Sequence, residues 1–189
     1  MISFLKSNSN ILILIFLLFL TVDSFLLIVK FIKRSENLPK LGISYDTLKS
    51  YCFSFCNNKY KLAIINLEIE NMSIKPIDIT NIKLIDRSKT YIASIPKLEP
   101  CYAEDGITLA NEDKSKSISI DIFSENILEN TSISPITSLN GYAVFENFDP
   151  IIYPRSYKLV VETPLKSFET EVTINPLEDG LNPITPEDI

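Results

Sequence analysis

Residues 11–29 read ILILIFLLFLTVDSFLLIV, and sixteen of these nineteen are Ile, Leu, Phe or Val. As a helix the run rises about 28 Å, close to the roughly 30 Å hydrocarbon core of a bilayer. Sixteen such residues favour insertion by about 5–10 kcal/mol in total, whereas one aspartate near the centre, Asp23, opposes it by about 2.5–3.5 kcal/mol. Insertion wins. Lys30, Lys33 and Arg34 follow at once and place positive charge at headgroup level where the helix leaves the membrane. No small-x-small cleavage site follows the run and no lipid-attachment cysteine succeeds it, so the segment is expected to be retained as a single-pass anchor over residues 1–34.

Asp23 is the candidate assembly residue, because a carboxyl group inside a membrane usually finds a polar partner on a neighbouring helix. The competing reading is a protonated or locally hydrated side chain beside Ser24. For orientation, Lys6 and the terminal amine lie before the run, and Lys30, Lys33, Arg34 and Lys40 lie after it. That bias favours a cytoplasmic C-terminal domain. Analogy with other anchored β-sandwiches points to the extracellular side, which stays open as the alternative.

With 189 residues the chain has room for one domain besides the anchor. It contains no histidine, which removes Ser-His-Asp and Cys-His nucleophilic mechanisms and histidine-ligated zinc. Its four glycines (Gly42, Gly106, Gly141, Gly180) are isolated, so no phosphate-cradling glycine loop can be written. Residues 35–189 hold 14 Lys and Arg against 23 Asp and Glu, about −9, and that sign repels nucleic acid. No cofactor is implied.

From residue 41 to 175 the apolar residues alternate rather than recur at helical spacing. Ala63, Ile65, Leu67 and Ile69 form one face of a strand, with Ile64, Asn66, Glu68 and Glu70 on the other. Ile77 and Ile79 share one parity and Ile82 and Leu84 the other, so the buried face changes near Thr80 and Asn81, by a bulge or by a crossing between sheets. Ile118, Ile120 and Ile122 alternate again, as do Tyr142 and Val144. Leu159 and Val161 lead through Thr163–Ser167 to Phe168, Val172 and Ile174, a terminal hairpin. The 29 isoleucines favour strands, where branching at Cβ is well tolerated.

These runs predict an all-β domain, an antiparallel sandwich of immunoglobulin-like type with about seven or eight strands, preceded by one transmembrane helix. A closed barrel is the alternative. Residues 35–40 read as a polar linker, and residues 176–189, acidic and proline-rich, as a flexible tail.

In YCFSFC, Phe53 and Phe55 are expected to face the core and Cys52 and Cys56 the opposite side. Extended, those cysteines lie about 13 Å apart, too far for a disulfide, while Cys101 could bridge to either. An odd number of thiols agrees with a reducing compartment. The carboxylate turns Glu104-Asp105-Gly106 and Asn111-Glu112-Asp113 read as solvated turns rather than calcium ligands. No metal ligand and no catalytic residue emerge, and the chain is read as no enzyme.

The stretches 62–86, 134–148 and 156–174 resemble a family of small bacterial proteins of unknown function in which a membrane helix precedes an immunoglobulin-like sandwich. The shared elements are an asparagine-terminated strand followed by Lys-Pro-Ile, a Gly-aromatic strand ending in Phe-Glu-Asn-Phe, and a final hairpin. The resemblance implies fold and anchoring and no known activity. The expected role is a membrane-anchored, non-catalytic module that binds a protein partner. The alternatives are a structural subunit of a membrane assembly, homo-oligomeric through Asp23, and a sandwich-fold hydrolase.

Overall fold

The structure is a computed structural model and describes residues 2–36, 38–55, 59–98, 106–113, 115–177 and 181–184. The chain divides into two compact units, residues 1–38 and 39–189.

The first unit is one helix, α1 (Ile2–Glu36). Within it Ile13–Phe31 is long and apolar enough to cross a membrane, and none of that stretch is buried within the protein. The helix runs beyond the expected anchor into residues 35 and 36, so the linker is shorter than the polarity of Ser35–Lys40 suggests. Ser35 and Glu36 are competent helix formers, and only Pro39 stops the pattern.

The second unit is all β, sandwich-like and strongly curled. Its strands are β1 (Leu41–Phe55), β2 (Tyr60–Asn71), β3 (Ile77–Asp78), β4 (Asn81–Ile85), β5 (Thr90–Ile92), β6 (Ile107–Ala110), β7 (Ser117–Ile120), β8 (Ser132–Ile133), β9 (Thr137–Glu146), β10 (Arg155–Glu162), β11 (Ser167–Pro176) and β12 (Asn182–Ile184). Seven of them form one sheet in the order β5-β4-β10-β11-β1-β2-β9, beside a three-stranded sheet β12-β6-β7 and the pair β3-β8. The count among the described residues exceeds the seven or eight expected because several strands are only two to four residues long, below the length at which alternation is visible.

The large sheet curls until its edges meet. Ala93, just after β5, donates its N–H to Ile82 O at 2.8 Å and bridges Phe145 of β9, and Ser94 N–H bonds Val144 O at 2.9 Å. Inside the curl lies one core cluster, including Ala63, Ile65, Leu67, Leu84, Phe145, Leu159, Val161 and Val172. A second cluster, with Phe53, Phe55, Leu62, Ile64, Tyr142 and Val144, fills the other face of β1, β2 and β9 against Ile107, Leu109 and Ile120 of the small sheet. Strand β2 is therefore buried on both faces over Leu62–Ile65, and β1 over Cys52 and Phe53.

This corrects the reading of YCFSFC. The two phenylalanines face a core as expected, but Cys52 opposite them is also buried, in the first cluster, as a free thiol. Burial pushes that thiol's pKa up, which keeps it protonated and unreactive. Cys56 and Cys101 lie outside the described residues.

Two further expectations change. The segment 176–189 is not wholly a free tail: Asn182–Ile184 pairs antiparallel with Thr108–Ala110 and Leu181 is buried. The sheet is also not antiparallel throughout, since β1 and β11 run parallel with Tyr51 opposite Asn175. Hairpin β10-β11 reaches β1 only through long connections, so nothing local dictates their relative direction. Over residues 47–50 β1 bulges from the ladder; Tyr45 Oη accepts from Thr173 N–H at 3.0 Å and Asn175 Nδ2 donates to Thr47 O at 2.7 Å. The face change near Thr80 is a crossing between sheets, because β3 pairs with β8 whereas β4 pairs with β10.

The strand directions define two poles. One gathers Lys40, the end of β2, the start of β9 and the β10-β11 turn; the other gathers the β4-β5 turn, the β9-β10 loop and Arg155. At the first pole Pro135 and Ile136 form the turn before β9, with Thr137 Oγ1 donating to Ser134 O at 2.8 Å. Ile136 has φ 54°. A β-branched residue there is strained by about 1–2 kcal/mol, and glycine is the ordinary occupant. Ile136→Gly is expected to raise domain stability by about 0.5–1 kcal/mol in urea unfolding, glycine's greater chain entropy offsetting part of the relief.

Candidate functional site

The best-formed site lies at the second pole. Strand β4 ends at Ile85, and the Asp86–Lys89 turn closes with Asp86 N–H on Lys89 O at 2.9 Å. Strand β10 begins alongside, and alternation puts Arg155 and Tyr157 on the same face. Arg155 Nη2 reaches both Asp86 oxygens, at 2.9 and 2.7 Å. Its guanidinium lies 5.5 Å from the centre of the Tyr157 ring, a cation–π arrangement that fixes the side chain over the ring. Tyr157 packs edge-on against Phe148 at 5.4 Å, and Phe148 against Tyr91 at 4.9 Å. Burial pushes the Tyr157 phenol up to about 12, keeping it neutral over the physiological range.

The Asp86–Arg155 pair separates two hollows. The larger, about 590 Å³, is lined by Ile85–Arg87, Arg155–Lys158 and Glu169–Glu171. The smaller, about 250 Å³, shares Asp86, Arg155 and Tyr157 and adds Ser88–Lys89, Tyr91 and Asp149–Ile151. Across it Lys89 pairs with Asp149. Between Pro150 and Pro154 the loop carries Ile152, 80% exposed, and Tyr153, 78% exposed. The pole thus offers an apolar tip beside fixed charges of both signs.

Among the described residues, four carboxyl groups have pKa values held below the ordinary range by donors: Asp113 by Ser115, Asp121 by Ser124, Asp149 by Lys89 and Glu162 by Lys83. A carboxyl group whose folded pKa is depressed stabilises the fold above its unfolded value, near pH 4, and that contribution is lost as pH falls through the folded value. The urea midpoint is accordingly expected to be level from pH 7 to about 5 and to fall below about pH 4. A midpoint unchanged at pH 3 would mean these contacts do not persist in solution.

Of the residues singled out from sequence, Asp23 lies exposed on α1, and Lys30 and Lys33 are exposed on the same helix. The helix includes Arg34, whose side chain lies outside the described residues. The Asn111–Asp113 turn spends its groups internally, with Asp113 Oδ1 accepting from Ser115 N and Oγ and Asn111 Oδ1 from Lys116 N. Glu104 and Asp105 lie outside the described residues. Among those described, no three acidic or sulfur side chains gather as a metal site.

The second pole was missed from sequence. Its polar pairs join residues 69 and 60 positions apart, a separation alternation cannot bridge. The readable signal was Ile151-Ile152-Tyr153 held between two prolines, an apolar stretch in a turn. No protein-family model matches the chain, and no curated protein matches it at a significant level.

Proposed function

We propose that the chain is a single-pass membrane protein whose immunoglobulin-like β-sandwich is a non-catalytic module for binding another protein through the Ile152–Tyr153 tip and the Asp86–Arg155 ridge. The observation that carries this reading is one exposed apolar helix of membrane-spanning length covalently joined to a separate β unit with an exposed apolar tip. The positive charges after the helix favour a cytoplasmic domain, and protease protection in intact cells separates that from the extracellular alternative.

Photocrosslinking tests the docking surface. With a photoreactive side chain at position 153 of the full chain in native membranes, a discrete adduct is expected, and Ile152→Ser with Arg155→Ala is expected to remove it while leaving the urea midpoint nearly unchanged. Equal adducts from position 153 and from position 49 on β1 would reject the assignment.

Asp23 favours a second reading, a structural subunit. An intramembrane carboxyl group usually pairs with a polar group, and a second helix can supply one. Loss of membrane crosslinked dimers in Asp23→Leu supports it; unchanged dimers reject it.

A further inference from the structure

The first pole carries a different surface. Four aliphatic side chains stand out from its turns: Met72 at 54% exposure and Ile74 at 69% after β2, Ile136 at 73% before β9, and Leu165 at 71% in the β10-β11 turn. Lys40, Lys75 and Lys166 lie among them. Asn71 knits the turns together, its Nδ2 donating to Lys75 O, Ile133 O and Ser134 O at 2.8–3.1 Å and its Oδ1 accepting Ser73 N–H at 2.8 Å. Met72 Cε lies over Gly42, where any larger side chain would meet it, and Ile136 holds its place at a backbone angle that disfavours it.

The chain enters the domain at this pole. Lys40 O accepts Met72 N–H at 2.9 Å, and Lys40 N–H donates to Ser73 Oγ at 2.8 Å. Only nine steps along the chain separate Phe31, the last residue of the apolar span, from Lys40. Five of those steps are helical and rise about 7.5 Å; the other four reach at most about 14 Å. The first residue of the domain's entry therefore lies within roughly 20 Å of the end of the apolar span.

We propose that the turns bearing Met72, Ile74, Ile136 and Leu165 seat this pole in the headgroup layer of the membrane, with Lys40, Lys75 and Lys166 at phosphate level. Apolar tips flanked by lysines match the chemistry of that boundary, where aliphatic groups leave water and ammonium groups meet phosphates. The proposal rests on the anchor reading and deepens it.

The chain has no tryptophan, so a single introduced one reports without background. The full chain is placed in phosphatidylcholine–phosphatidylglycerol nanodiscs as four variants, Leu18→Trp in the helix, Ile74→Trp and Leu165→Trp at this pole, and Ile152→Trp at the other. Quenching by shallow spin-labelled lipid is expected for positions 74 and 165, with blue-shifted emission, and not for 152. Met72→Ser with Ile136→Gly is expected to cut quenching at position 74 at least twofold. Leu18→Trp quenched by deep label, while positions 74 and 165 emit as in water, overturns the pole contact and leaves the anchor standing. If position 18 also escapes quenching, the anchor reading fails and the proposal with it.

Discussion

Replacing Asn71 by aspartate is expected to destabilise the β domain by about 4 kcal/mol or more near pH 7, against about 2–4 kcal/mol for alanine. Asn71 is fully buried and its amide nitrogen serves three backbone carbonyls while its oxygen takes the Ser73 N–H. Alanine leaves those backbone groups without partners. Aspartate does more harm, because it points a negative oxygen at the three carbonyls that the amide had satisfied. An aspartic acid can donate one hydrogen bond there and an aspartate none, so the folded pKa at that position is raised. Its contribution is therefore most favourable below about pH 4 and is lost as pH rises. The gap in urea midpoint between Asn71→Asp and the parent should narrow on going from pH 7 to pH 4. A cost below about 1 kcal/mol at pH 7 would show that the turns of this pole do not depend on Asn71. The typical domain stability of 5–15 kcal/mol leaves room to measure either variant folded.

The second large effect concerns the helix. Insertion of residues 11–29 is favoured by about 2–7 kcal/mol once Asp23 is counted. Each Leu→Arg near the centre adds about 3–4 kcal/mol, so Leu17→Arg with Leu20→Arg adds about 6–8 and cancels or exceeds the parental preference. The double variant is expected to move from the membrane pellet to the soluble fraction with the β domain still folded. Leu48→Arg, on the exposed β1 bulge, is the matched control and should leave the distribution unchanged. Retention of the double variant in washed membranes would mean that something other than the apolar run holds the chain there.

What the sequence made legible is what local physics determines. The apolar run is visible because a membrane-length helix needs only composition and length. The strand end 66–70 and the hairpin 159–174 are visible because one face of each meets water. The parity change between Ile79 and Ile82 shows that the buried face switches there, but leaves a bulge and a crossing between sheets open until the pairing of β3 with β8 and of β4 with β10 decides for the crossing. The remaining features depend on distant partners. Cys52 looks like an outward residue because the phenylalanines claim the core, yet the curl of the large sheet builds one core around Cys52 while the small sheet covers Phe53 and Phe55 with another. Asn182–Ile184 reads as tail because a three-residue strand containing proline shows no alternation; its order comes from Leu181 burial and pairing with β6. Pro183 is tolerated because β12 is an edge strand. Asp86 and Arg155 are ordinary surface charges until β4 and β10 pair and set them side by side. The sequence thus yields the membrane-directed half of the account more readily than the docking half, since lipid is recognised by bulk chemistry and a protein partner by a constellation.

Alkaline carbonate extraction of membranes from cells expressing the full chain, detected through an epitope placed before Met1, tests the anchor most directly. The intact chain, epitope included, is expected in the pellet. Recovery of the domain in the supernatant, or a pelleted chain that has lost its epitope, would contradict a retained helix as the tether.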